Sequence, residues 1–458
     1  MMRLISRARI AIAAGIVAVP LFAGACNNTK DQLLAPQQPG IILPGDIQSA
    51  TGADGLYNGA LGRFKSWSVG GGGNQEALWP MIALMTDEYK SSDTFSQRNE
   101  ADQRSVQTNN AQVQSVYTQA QQARGYTRDA INALFQYLPT QTGKIAQMYF
   151  VLGFAELQLS EDYCNGIPFG ETVDGVPNYT TPLSSADGLK LAGVHFDSAL
   201  ALATGADAIS VNVKNAATIA KARTLVNLGQ WSAAASLVAS VLTSYQYVET
   251  FAQTSQDNGF WIMTTNTARY SVGDSVDATG VIKNALPFAS AGDPRVTTTR
   301  NRLKPFDNQT LPWFEQTVYG RSDAIAIVNG LDARLIEAEA KLQANDIAGM
   351  MTILNALRTA PPTQGIFKPA AMTALPVPAD KASATTLYFR EKAFWTFSRG
   401  QRFGDLRRLV RQYGRPADQV WPSGPFHKGG NYGPDVTYPV TDNEKTNPNF
   451  TGCVDRIA

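Results

Sequence analysis

Apolar residues recur at helical spacing through most of this chain. Between Lys144 and Tyr163, the side chains of Ile145, Met148, Tyr149, Leu152, Ala155 and Leu159 fall on one face, the stripe of an amphipathic helix. The same reading predicts helices over Ile47 to Trp67, Glu76 to Tyr89, Gln112 to Leu138 with a break near Gly125, Leu189 to Leu202, Ala216 to Gly229 and Trp231 to Tyr245, a helix pair over Leu331 to Arg358, and a helix over Leu387 to Val410. The last has an aromatic face of Phe394, Trp395 and Phe397, bends at Gly400, and resumes its apolar stripe at Phe403, Leu406, Leu409 and Val410.

An internal repeat organises these helices. Ala222, Gly229, Trp231, Ala234 and Leu237 overlie Ala338, Asn345, Ile347, Met350 and Ile353 at a constant offset. A long helix, a tight turn at Gly229 or Asn345, and a second helix opening on a large apolar residue is the tetratricopeptide arrangement. Each pair has an apolar face that only a neighbour can bury, so about four pairs are expected to stack. The predicted fold is mainly α: a tetratricopeptide-like helical repeat scaffold with long irregular loop excursions forming a ligand-binding side. Two excursions break the helical period, 67–104 and 247–321, where aromatics are interleaved with Gly, Pro, Asp, Asn and Thr. Loops of that kind on a rigid scaffold are where binding concentrates.

The start of the chain is different. Arg3, Arg7 and Arg9 precede an apolar run from Ile10 to Phe22, followed by Ala23, Gly24 and Ala25 before Cys26. Basic, apolar and small-residue regions in that order make an export signal over 1–25. Cys26 is then the lipid-bearing first residue of a bacterial lipoprotein; cleavage by an ordinary signal peptidase, leaving an unlipidated secreted protein, is the alternative. Residues 26–45, rich in Asn, Gln, Pro and Gly, read as a tether, and 46–458 as one domain. Of the three cysteines, Cys164 and Cys453 remain as an even pair. In an oxidising compartment a disulfide is their default state, with two unpaired thiols as the alternative. The 39 basic and 38 acidic side chains leave no electrostatic footprint for nucleic acid.

Catalytic chemistry has little to build on. The two histidines are His195, in a helical stretch, and His427, in a loop. No HExxH, GxSxG or phosphate-loop pattern occurs, and the glycines from Gly70 to Gly73 lack the Lys-Ser/Thr of a phosphate cradle. No metal or cofactor site is expected. A hydrolase would rest on paired carboxylates such as Asp87 with Glu88, or on Asp293. Binding is better provided for, since a sugar needs an aromatic plane flanked by amide, carboxylate or Arg groups. Candidate platforms are Trp67, Trp79, Trp261, Tyr270 and Trp313, with Asp93, Arg98 and Asn266 as edge partners; a core role beneath a loop is the competing reading for each ring.

Three C-terminal segments carry a family resemblance. Glu391, Lys392, Gly400, Arg402, Phe403, Asp405, Leu406 and Arg408 resemble the signature of the SusD/RagB-like proteins, in which a Glu-Arg pair leads to Gly, Arg, an aromatic, Asp-Leu and Arg. Trp395 and Arg399 stand where many members carry Glu. Leu331 to Arg358, with Leu354, Asn355 and Arg358, is similar to that family's Ala-Glu-Ala helix and the Leu-Asn-x-x-Arg helix after it. Tyr438-Pro439-Val440 with Glu444, Asn447 and Pro448 resembles its closing motif. The resemblance implies a lipid-anchored outer-membrane protein facing the cell exterior, which captures an oligosaccharide or other nutrient and delivers it to a TonB-dependent β-barrel transporter. It also implies ligand-binding loops gathered on one side, no catalysis, and a structural role for Arg295 in Asp293-Pro294-Arg295. A tetratricopeptide lipoprotein scaffold for envelope assembly and a secreted carboxylate-dependent hydrolase are the alternatives.

Overall fold

Several helices begin where a short polar side chain takes up the first free backbone amides. Ser49 accepts from the Gly52 amide, Asn110 from Gln112 and Val113, Ser184 from Asp187 and Asp207 from Ser210. Each such cap is worth about 1 kcal/mol. Asn329 and Asp332 form a reciprocal capping box. The computed structural model describes residues 48–70, 76–173, 176–300 and 304–458. Its helices of eight or more residues are α1 (Ala50–Ser68), α2 (Leu78–Met85), α3 (Ser96–Gln103), α4 (Ala111–Tyr137), α5 (Thr142–Asp162), α6 (Ser185–Leu202), α7 (Ala208–Asn227), α8 (Trp231–Val238), α9 (Gly330–Gln343), α10 (Ile347–Thr359), α11 (Lys381–Trp395) and α12 (Arg402–Arg411).

The helices stack nearly in chain order: α1 lies on α4, α4 on α5, α5 on α6, α6 on α7, α7 on α8, α8 on α9, and α9 on α10. The central helix α5 is buried almost all round, from Phe150 to Asp162 without a break. The two turns of the repeat are alike, since Gly229 and Asn345 both adopt left-handed backbone, with φ of 75° and 59°. After each, Trp231 opens α8 and Ile347 opens α10. Residues 49–458 form one compact unit.

Several predicted boundaries shift. Helix α4 runs through Gly125 unbroken, because that glycine faces open space. Leu331 to Arg358 is two helices divided at Asn345, as the repeat predicts, and Leu387 to Val410 breaks near the expected bend at Gly400 into the end of α11 and α12. The helix expected over Glu76 to Tyr89 shrinks to α2, where Tyr89 enters a strand instead. Helix α3 was invisible to periodicity, since SQRNEADQ has no apolar stripe.

The C-terminal signature is sealed inside the molecule. Gly400 has φ of 62° and lies so close to Trp79 that a Cβ there would overlap the indole; only glycine meets both demands. Around it the charges are paired: Lys392 with Asp405 at 2.6 Å, Arg402 with Asp87 at 2.8 Å, Arg408 with Glu339. Glu391 receives both Arg295 at 2.7 Å and Arg358 at 2.9 Å. Arg399, at one of the two departing positions, holds Asp332 at 2.7 Å. Buried charges persist only when paired and hydrogen-bonded, so these residues clamp α9, α11 and α12 to the first excursion.

Cys164, just beyond α5, is bonded to Cys453 with Cα atoms 5.9 Å apart, tying the tail to the middle of the chain. The export signal, Cys26, the tether and most of Gly70–Gly73 lie outside the described residues. Among the described residues, no helix is long and apolar enough to cross a membrane.

Candidate ligand-binding face

Backbone pairing joins the two excursions. Strand β1 (Tyr89–Ser91) of the first lies antiparallel to β2 (Tyr270–Val272) of the second, Tyr89 opposite Val272 and Ser91 opposite Tyr270. The ladder continues beyond the strands. The Ser92 amide donates to the Arg269 carbonyl at 2.8 Å, and the Asp307 amide to the Ser92 carbonyl at 3.0 Å. Ala268, left-handed with φ of 53°, turns its carbonyl toward both the Ser92 hydroxyl at 2.8 Å and the Phe306 amide at 3.0 Å. Three stretches of loop therefore converge at Ala268, and the strained backbone there is held by bonds from two sides.

This junction presents a cation between two rings. The Arg269 guanidinium carbon is 3.7 Å from the Phe306 ring centre and 5.0 Å from that of Phe95. Both rings face solvent, Phe95 at 43% exposure and Phe306 at 40%. Arg98 stacks on Phe95 from 5.1 Å. Asp93 caps the group, accepting from the amides of Thr94 and Phe95 and pairing with Arg269 at 2.7 Å and with Arg98. Burial opposes its ionisation, yet the bonds from Arg269 and Arg98 hold the carboxyl below the usual range. Beside it, Lys428 reaches Asp307 at 2.7 Å. Burial again works against Asp307, but Lys428 and Thr310 outweigh it and pull the carboxyl down to about 2.

The loop carrying Lys428 lies over β1, with His427 Nε2 2.9 Å from the Ser91 carbonyl oxygen. Burial lowers the imidazole to about 4, so it is neutral at pH 7 and Nε2 carries the proton given to that carbonyl. Beneath, burial pushes the Asp102 carboxyl up to about 8 while its Oδ2 accepts the Ser91 amide at 2.6 Å.

The sequence-predicted residues divide between floor and face. Trp67, Trp79, Tyr270 and Trp313 are buried, and a ring packed on both sides offers no stacking surface; the expectation that they are platforms is corrected to a supporting role. Trp79 Nε1 donates to Gln158 at 2.8 Å, Trp313 Nε1 to Ser92 at 3.2 Å, and the Tyr270 hydroxyl to Glu76 at 3.4 Å. Arg98 and Asp93 are buried too, and act as the frame that seats Phe95. Trp261 is half-buried with Arg321 over its ring at 5.4 Å, and Asn266 is exposed. Asp87 and Asp293 are bound to Arg402 and Arg295. Glu88 is buried, accepts the Ser398 amide at 2.9 Å, and is pushed up by burial to about 8. His195 Nδ1 is hydrogen-bonded to the buried Glu156 Oε2 at 2.5 Å, joining α6 to α5.

Phe95 and Phe306 belong to the aromatics of the two excursions but were not among the expected platforms, and Arg269 and Lys428 were not among the predicted site residues. Their signal is local: Phe95 sits in Asp-Thr-Phe-Ser-Gln and Phe306 in Lys-Pro-Phe-Asp-Asn, each a lone ring among polar and turn residues, whereas Trp79 stands in Leu-Trp-Pro-Met-Ile.

A stack of tetratricopeptide-like helix pairs bearing one loop-built face of exposed rings and paired charges defines a helical-repeat protein with a candidate binding side. Its fold is that of the SusD/RagB-like proteins. A SusD superfamily protein from Bacteroides vulgatus superposes with a TM-score of 0.59 at 15% identity, covering 89% of this chain and 99% of that one. A SusD-like carbohydrate binding protein from Bacteroides fragilis gives 0.63 at 13% identity, covering 88% and 99%. A SusD/RagB family protein from Bacteroides thetaiotaomicron gives 0.57 at 9% identity, covering 86% and 94%. No protein-family model and no curated protein matches the chain.

Proposed function

We propose that this chain is a nutrient-capture protein of the SusD/RagB-like kind, held at the outer membrane by lipid on Cys26, facing the cell exterior, and delivering its ligand to a TonB-dependent β-barrel transporter. The ligand in this reading is a glycan. The observation that carries the reading is the pair of solvent-facing phenyl rings, Phe95 and Phe306, with Arg269 between them. The C–H face of a sugar packs on such rings while guanidinium and carboxylate edges take its hydroxyls. The fold adds support, because a structural neighbour is described as a SusD-like carbohydrate binding protein.

The reading is tested by extracting outer membranes in mild detergent, pulling on a tag at Ala458 and identifying the co-purifying chains by mass. A TonB-dependent β-barrel in near-equal amount is expected. Recovery of envelope assembly factors, or of no partner, would overturn the delivery role.

A further inference from the structure

A cavity lies where the C-terminal signature meets the repeat helices, walled by residues of α5, α7, α9, α11 and α12. The space open to the centre of a water is about 20 Å3, the scale of one ordered water. Three buried polar atoms of its lining residues lack a protein partner: Arg223 Nη1, Asn227 Oδ1 and Asp405 Oδ2. The rest of each side chain is engaged. Arg223 Nε and Nη2 hold Glu161, Asn227 Nδ2 donates to Glu161 at 2.6 Å, and Asp405 Oδ1 receives Lys392 at 2.6 Å and Arg408 at 3.1 Å.

The leftover atoms are one donor and two acceptors, and that count selects the occupant. We propose that the cavity is a binding site for a single water, which accepts from Arg223 Nη1 and donates to Asn227 Oδ1 and Asp405 Oδ2. Three bonds is the usual complement of a buried water. A chloride ion would face two oxygen acceptors with no hydrogen to offer them. A sodium ion would place its charge against a guanidinium, and ammonium has no lone pair for Arg223. The water links α7 of the repeat to α12 of the signature, adding a neutral contact beside the Arg223 to Glu161 pair.

Crystals of the whole protein that show ordered solvent, grown with and without a bromide soak, test it. One oxygen peak within about 2.6 to 3.2 Å of all three atoms, with no anomalous signal from bromide, is expected. A dry cavity whose three side chains have turned to protein partners, or a bromide peak at the site, overturns it. In crystals of Asn227→Leu the peak should vanish; a peak retained at full occupancy would remove Asn227 as a ligand and overturn the three-bond site. Should that variant fail to fold, the map of the unaltered protein decides alone.

Discussion

Two arginines in this molecule make nearly the same contact with opposite surroundings. Arg295 stacks near Trp395 at 4.9 Å and Phe394 at 5.2 Å, with its side chain fully removed from water and bound to Glu391 and Asp293. Arg269 stacks at 3.7 Å on Phe306, is held by Asp93, and keeps 19% of its side chain exposed between rings that are themselves open. The first arrangement locks helices together, and the second leaves aromatic surface for another molecule. A cation on a ring therefore says little about role until solvent access is known. Charged networks divide in the same way, fully enclosed around the signature and open-edged on the loop face.

The contrast is sharpest in stability. Arg408→Ala strands the buried Glu339 carboxylate and should cost about 3 to 5 kcal/mol, whereas Arg269→Ala leaves the buried Asp93 carboxylate its bonds from Arg98 and from the Thr94 and Phe95 amides and should cost less, about 1 to 2 kcal/mol. Urea denaturation of both variants measures this, and equal losses would erase the distinction. Ligand affinity should show the converse. Phe95→Ala and Phe306→Ala should leave the unfolding midpoint nearly unchanged while each weakens glycan binding by about 1 to 3 kcal/mol, by analogy with bases stacked on aromatic rings. Titration calorimetry against a panel of soluble polysaccharides reads the loss; binding that survives in the double variant would move the site elsewhere.

The smallest effect is in pH. Asp307 at about 2 in the folded chain lies below the roughly 3.9 of an unfolded aspartate. The unfolded state therefore binds more protons between those values, so the stabilisation is complete above about pH 4 and is lost as pH falls toward 2. Asp307→Asn should flatten this part of the acid-unfolding curve by about 1 kcal/mol or less. An unchanged slope between pH 4 and 2 would show that Lys428 does not hold the carboxylate.

Helix positions and the repeat were legible because a helix declares itself through neighbours three and four residues away, and because Gly229 and Asn345 mark equivalent turns. The disposition of the loops was not, since it depends on partners far along the chain. Arg402 and Asp87 are 315 residues apart, and no local pattern pairs them. Residue type misled the choice of platforms: the indoles of Trp79 and Trp313 have large apolar area to hide, and the loops fold inward to hide it. Phe95 and Phe306 stay outside because polar and turn residues on either side keep their backbone at the surface. Starts of α6 and α7 were missed for a related reason, since Ser184 and Asp207 signal them through hydrogen bonds to backbone amides and not through hydrophobicity.

Gly400 resting on Trp79 has a consequence for the order of events as the chain is made. Trp79 and Asp87 emerge early, but the residues that cover them, Gly400 and Arg402, follow more than three hundred positions later. A chain synthesised N-terminus first keeps an indole and a carboxylate exposed until its last segment is made. Such long-range closure makes folding slow and leaves apolar surface open to mispairing in the interval. The chain can therefore complete its fold only as nearly the whole of it becomes available, with the loop face, built on that same early segment, among the last parts to settle.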